Sequence, residues 1–179
     1  MIYVALLRGI NVGGNNKIDM KLLKQTFIRS GMSSVITYIN SGNIIFADEI
    51  RSKYEIVEIL ERKILEDFGL EIKVLIRSLN DFEEIMKILP VSWSNGSAMK
   101  ADVIFLWDEI DQGAAVSKLV IKPEIDTVLF FRGGILWKTD RENVARSGLI
   151  KIVGTDLYKK MTVRNVNTVR KIYDIMKML

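Results

Sequence analysis

The chain reads as an α+β protein of two ferredoxin-like subdomains packed together, and three observations predict it. Strand-sized β-branched and aromatic runs such as Val103-Ile104-Phe105-Leu106-Trp107 alternate with amphipathic helical stretches. The element order is βαββαβ, and then βαββαβ again. With 179 residues, 49% of them hydrophobic, there is enough apolar material to fill such cores.

Residues 1–8 form the first expected strand. Asp19 is the expected N-cap of a helix running to Ser30, with Leu22, Leu23 and Phe27 on its apolar face and Gly31 as the stop. A strand over Val35 to Ile39 turns through Asn40-Ser41-Gly42-Asn43 into Ile44-Ile45-Phe46, which reads as a hairpin. The spacing of Val57, Leu60, Ile64 and Phe68 predicts a helix from about Ser52 to Phe68, and Ile72 to Ile76 closes the first unit as a strand. Ser78 opens a linker helix with Asp81 at capping-box distance, and Pro90 ends it.

Residues 90–100 read as a linker rich in Pro, Ser, Asn and Gly. Beyond it are expected a strand at Ala101 to Trp107, a helix near Gln112 to Val120, and a hairpin of Thr127 to Phe131 with Ile135 to Lys138. A helix near Asn143 to Val153, a strand at Met161 to Arg164 and a C-terminal helix from about Thr168 to Leu179 complete the list, with Asn167 or Thr168 as the cap of the last. The expected domains are residues 1–90, including the linker helix, and 101–179, including the C-terminal helix. The two halves share element order but no repeat visible by eye.

The absence of cysteine removes disulfides, thiol nucleophiles and cysteine metal sites, and the absence of histidine removes the usual general base and the commonest transition-metal ligand. No spacing resembles a metal site; Asp108, Glu109 and Asp111 are read as capping the following helix. The apolar runs fall far short of a membrane span, and the amino terminus reads as a strand rather than a leader, which places the chain in the cytoplasm. A net charge of +4 is a mild excess, concentrated after Tyr158 in Lys159, Lys160, Arg164, Arg170, Lys171 and Lys177.

The stretch Arg8-Gly9-Ile10-Asn11-Val12-Gly13-Gly14-Asn15-Asn16-Lys17 leaves a strand and enters a helix through glycines, amides and two cations, the composition of a binding loop. In βαββ topology the first two strands run the same way, so this loop and the Asn40-Ser41-Gly42-Asn43 turn emerge at one end of the sheet. The expected site therefore comprises Arg8, Asn11, Asn15, Asn16, Lys17, Asn40, Ser41 and Asn43. Guanidinium and amide groups of this kind suit an anion: a phosphate- or carboxylate-bearing small molecule, a nucleotide or a nucleic-acid end. The competing reading is that Asn and Gly serve only the turns.

Gly9 and Gly14 have Walker spacing, but Asn15-Asn16 stands where Lys and Ser or Thr should grip phosphate and magnesium, and the glycines miss the dinucleotide fingerprint. No cofactor is assigned. An enzymatic alternative would use Ser41 as nucleophile with Lys17 as base, drawing otherwise on Tyr38, Asp19 or Arg8. A second alternative is an interaction scaffold using the basic C-terminal helix, with Arg170 and Lys171 as its contacts. Arg164 and Asn165 form a secondary candidate site for an anion.

Read together, Leu7-Arg8-Gly9-Ile10-Asn11-Val12-Gly13-Gly14-Asn15, Tyr38-Ile39-Asn40-Ser41-Gly42-Asn43 and Arg164-Asn165 resemble the bacterial family DUF1697, over essentially the whole chain. The resemblance implies two ferredoxin-like subdomains and carries no biochemical activity with it. Members usually have an aromatic residue after the Arg-Asn pair where this chain has Val166, so no stacking role is carried over there.

Nucleic acid is weakly supported as a partner. Ile2-Tyr3-Val4-Ala5-Leu6-Leu7 has the look of the first-strand signature of an RNA recognition motif, with Tyr3 at a stacking position, but the second signature is missing. Residues 2–7, 44–47, 103–107 and 128–131 are apolar at odd and even positions alike, so both faces of each sheet should be covered. The second faces are expected to be buried by the opposite subdomain, an added helix or a second chain, with Trp107 and Trp137 in the buried layer. A face of roughly 400 Å² would contribute on the order of 10 kcal/mol before entropic costs.

Overall fold

A computed structural model of the protein describes residues 1–110 and 112–179. The chain forms two compact units, Met1–Glu83 with Ile172–Leu179, and Glu84–Lys171. In the first, β1 (Ile2–Leu7), α1 (Met20–Arg29), β2 (Ser33–Tyr38), β3 (Asn43–Ala47), α2 (Lys53–Phe68) and β4 (Val74–Ser78) give a sheet of order β2-β3-β1-β4, and α3 (Leu79–Ile88) follows. All its neighbouring strands are antiparallel.

Alternation along the strands sends Tyr3, Ala5, Leu7, Ile44, Phe46, Val74 and Ile76 into one core with Leu23 and Phe27 of α1 and Ile56, Leu60 and Ile64 of α2. The residues of opposite parity, Val4, Leu6, Ile45 and Leu75, are buried too. Tyr3 is a core residue, tilted against Phe46 at 5.8 Å between centroids, and is therefore not exposed for base stacking. The helix ends follow their caps. Asp19 accepts from Lys21 N and Leu22 N; Ser52 and Glu55 form a reciprocal capping box; and Gly69, at φ +67°, ends α2. Ser78 and Asp81 repeat the box at α3, at 2.7 and 3.2 Å.

The second unit contains β5 (Met99–Leu106), α4 (Gln112–Val116), β6 (Asp126–Phe131), β7 (Gly134–Asp140), α5 (Asp156–Lys159) and β8 (Met161–Asn165), with sheet order β6-β7-β5-β8. The final helix, α6, is Val166–Met176. The mixed α+β architecture and the two antiparallel sheets match the expected ferredoxin-like arrangement. Among the described residues no helix is long and apolar enough to cross a membrane.

Three expectations are corrected. The helix near Asn143 to Val153 is instead a pair of 3₁₀ segments, Arg141–Arg146 and Gly148–Ile152, separated by Ser147 in extended geometry. The cause is tertiary. Asp126 receives Ser147 Oγ at 2.6 Å and Gly148 N at 2.9 Å, which turns the chain there, and a Cβ on Gly148 would lie 1.5 Å from Val120 O. The cap of α6 is Asn165, whose Oδ1 accepts from Thr168 N at 2.9 Å. Asn167 instead exchanges two hydrogen bonds with the Asn95 main chain. Trp137 is buried as expected and donates to Asp126 at 3.1 Å, whereas Trp107 is half-buried. Of the three acids expected to cap α4, Asp111 lies outside the described residues.

The units also share a frame at residue level that the sequence alone conceals. Val4 pairs with Ile45 and Arg77, as Val103 pairs with Leu136 and Arg164. Leu7 N donates to Gly42 O at 2.8 Å and Leu106 N to Gly133 O at 2.9 Å; Arg8 N donates to Lys73 O at 3.1 Å and Trp107 N to Lys160 O at 3.2 Å. Arg77 and Arg164 each bond the carbonyl of the preceding residue, and Ser78 and Asn165 each cap the helix that follows.

Candidate functional site

Because β1 and β2 are both antiparallel to β3, the loop after β1 and the turn after β2 leave the same end of the first sheet. They are joined there. Gly42, at φ +77°, brings its carbonyl to Leu7 N, and a Cβ on it would stand 2.8 Å from Leu7 Cβ and 3.0 Å from Ile10 Cδ1. A second tie comes from Asn11, itself at φ +52°. Its Nδ2 donates to Ile18 O at 3.0 Å and to Asn40 O at 2.9 Å, and its Oδ1 accepts from Ile18 N at 2.8 Å.

Between these ties the loop folds on itself. Asn11 N donates to Asn16 O at 3.1 Å and Asn15 N to Val12 O at 3.0 Å, and Gly13 and Gly14 at φ +60° and +81° form the two-residue tip of a miniature hairpin. Ile10 and Ile18, both core residues, pin its two ends. Asn16 Nδ2 donates to Gly9 O at 2.9 Å. Asn43 is wholly buried, with Nδ2 on Tyr38 O and Ser41 Oγ, each at 3.1 Å. The amides of Asn11, Asn16 and Asn43 thus bond to their own chain.

A cleft of about 540 Å³ opens beside the hairpin, lined by Asn11, Gly14, Lys17, Ile18, Asp19, Met20, Lys21 and Asn40. Of the expected site residues it brings together Asn11, Lys17 and Asn40; Arg8, Asn15, Asn16, Ser41 and Asn43 are not on its wall. Lys17, Lys21 and Asn40 are exposed, and neither ammonium has an ion-pair partner among the described residues. Asp19, the one acid on the wall, has an oxygen committed to Lys21 N at 2.7 Å and Leu22 N at 3.2 Å.

Lys21 was missed in the sequence, where that stretch of α1 was read for its apolar face. The signal was there: a cation in the first turn opposes the helix dipole, and here its one acidic neighbour is the N-cap Asp19. Residues set against local preference in this way mark candidate sites. The hairpin points the same way. The shared frame supplies the Leu–Gly tie in both units, but the second unit has Trp107 where the first has Arg8.

The secondary pair looks different. Arg164 is only 8% exposed, donates to Thr162 Oγ1 at 2.9 Å and Val163 O at 2.8 Å, and burial pushes its guanidinium down to about 10. With Asn165 spent on the cap of α6, both members of the pair serve the frame that Arg77 and Ser78 repeat. On the C-terminal helix, Arg170 donates to Trp93 O at 2.5 Å and Pro90 O at 2.8 Å, so its charge is bound to the linker, while Lys171 is exposed. Among the described residues no cluster of acids could hold a metal ion.

The chain is similar to a solved structure, the conserved bacterial protein SP0830 from Streptococcus pneumoniae, at 34% identity over 98% of each chain and a TM-score of 0.84. No curated protein matches it. The family model described as "Protein of unknown function (DUF1697)" matches residues 1–137, and the chain belongs to that family.

Proposed function

We propose that the protein binds an anionic ligand, a phosphate- or carboxylate-bearing small molecule, a nucleotide or a nucleic-acid end, in the cleft between the Gly/Asn-rich hairpin and the Asn40 turn. The observation that carries this reading is the pairing of Lys17 and Lys21, two exposed ammonium groups without ion-pair partners among the described residues, on one wall with a carboxylate already bonded to the helix. Lysines of this kind act as point charges for phosphate. The Asn40 side chain adds donors, and open space at Gly14 permits approach to the main chain.

In this reading Asn11 holds the two walls in register, and Asn16 and Asn43 shape the loops. The test is thermal shift against inorganic phosphate, pyrophosphate, nucleotides and 5′-phosphorylated oligonucleotides. A ligand at ten times its Kd stabilises by about 1.4 kcal/mol, which in a chain of this size is roughly 3–6 °C. The double variant Lys17→Ala, Lys21→Ala should melt within about 1 °C of wild type without ligand and lose that shift. Equal shifts in both proteins would refute the assignment.

A further inference from the structure

The second unit contains a cavity of about 150 Å³ between its sheet and the two 3₁₀ segments, with walls of Val144, Leu149, Met161 and Val163 among others. A space of this size holds a benzene-sized body, and apolar walls favour an apolar one. Its floor is unusual. Asp102 lies there, its side chain only 4% exposed, and its Oδ2 is buried without a hydrogen bond. Lys100 Nζ stands 2.6 Å from that oxygen, an ion pair without hydrogen-bond geometry, and the lysine side chain is 32% exposed.

The repeated frame shows what replaced what. Asp102 pairs with Trp137 as Tyr3 pairs with Phe46, so an aspartate occupies the strand position that the first unit fills with a core aromatic ring. An acid in place of that ring leaves volume and places a charge where the fold needs neither. Thr139 and Ser147, also on the wall, are spent on Ile125 O at 2.9 Å and Asp126 at 2.6 Å. The Asp102 carboxylate is ion-paired with Lys100 but its Oδ2 is without a hydrogen bond, whereas buried carboxylates are ordinarily hydrogen-bonded.

We infer that this cavity is a binding site for a small primary amine of about six to eight non-hydrogen atoms in all, whose ammonium takes Asp102 in place of Lys100. The lysine shows the head-group chemistry that the carboxylate accepts, and its partial exposure lets it swing into water when a ligand enters. One carboxylate faces one ammonium before and after binding, so no unpaired charge is buried in either state. The apolar wall selects the body and Asp102 the head.

The experiment is a ¹³C-methyl methionine NMR titration, with the Met161 signal assigned through Met161→Leu. Isopentylamine should move the Met161 signal saturably. Isopentanol, with the same body and no charge, should bind at least fivefold more weakly, and isovalerate should leave the signal in place. Lys100→Met removes the competing ammonium and should tighten amine binding about tenfold; Asp102→Asn should weaken it about tenfold. Val163→Phe, which fills the space while keeping the ion pair, should abolish it. An unmoved Met161 signal, alcohol binding as tight as amine binding, or unchanged affinity in Lys100→Met would each overturn the inference.

Discussion

Replacing Asn11 separates architecture from ligand binding. Its side chain supplies two donors and one acceptor, to Ile18 O, Asn40 O and Ile18 N. Each bond contributes about 1 kcal/mol net, and partners left without water cost more. Asn11 also sits at φ +52°, where alanine is strained by about 1 kcal/mol. Asn11→Ala should therefore lose about 3–4 kcal/mol, and Asn11→Gly, which relieves the backbone, about 2–3 kcal/mol. Asn11→Asp should be worse than glycine, because a carboxylate keeps the Ile18 N–H but faces two carbonyl oxygens. Urea unfolding at constant m-value measures all three. A loss under 1 kcal/mol for Asn11→Ala would refute the reasoning and return Asn11 to the set of ligand contacts.

Asp126 receives two donors on each oxygen, from Ser147 Oγ, Trp137 Nε1, Gly148 N and Lys122 N. Burial raises its pKa, but those bonds together outweigh it and hold the carboxyl below its ordinary 3.8. Its folded value being the lower one, its contribution is present above the unfolded value and fades as pH falls through the folded one. Acid titration of stability should thus be shallower in Asp126→Asn, which at pH 7 should lose about 2–4 kcal/mol. Gly42→Ala, strained at φ +77° and set against Leu7 Cβ, should lose about 2–3 kcal/mol by chemical denaturation. A bound oligonucleotide should be released steeply between 50 and 200 mM salt, whereas a small ligand held by two lysines should weaken by about tenfold or less. Charge reversal at Arg170 should lower stability by about 2 kcal/mol through the linker carbonyls it bonds, visible by melting without any partner.

The strands were legible because β-branched runs such as Val103 to Phe105 admit few alternatives, and the caps at Asp19 and Ser78 because side chain and helix start lie within three residues. What could not be read was set at long range. The 3₁₀ break at Ser147 is imposed by Asp126, twenty-one positions away, so helical spacing around it misleads. The site was legible as a place. Topology alone brings the two loops to one sheet end, yet an asparagine lining a cleft and one bonded to its own chain look the same in sequence, as Asn40 and Asn43 illustrate. The shared frame stayed hidden because it is kept by main-chain bonds, which Arg8 and Trp107 satisfy equally well.

The most direct test of anion binding at the hairpin cleft is an amide NMR titration with inorganic pyrophosphate. Saturable shifts should map to Gly14, Lys17 and Lys21, with affinity falling at least tenfold in Lys17→Ala, Lys21→Ala and unchanged in Lys171→Ala. Absence of shifts at those amides, or equal affinity in the double variant, would contradict the assignment.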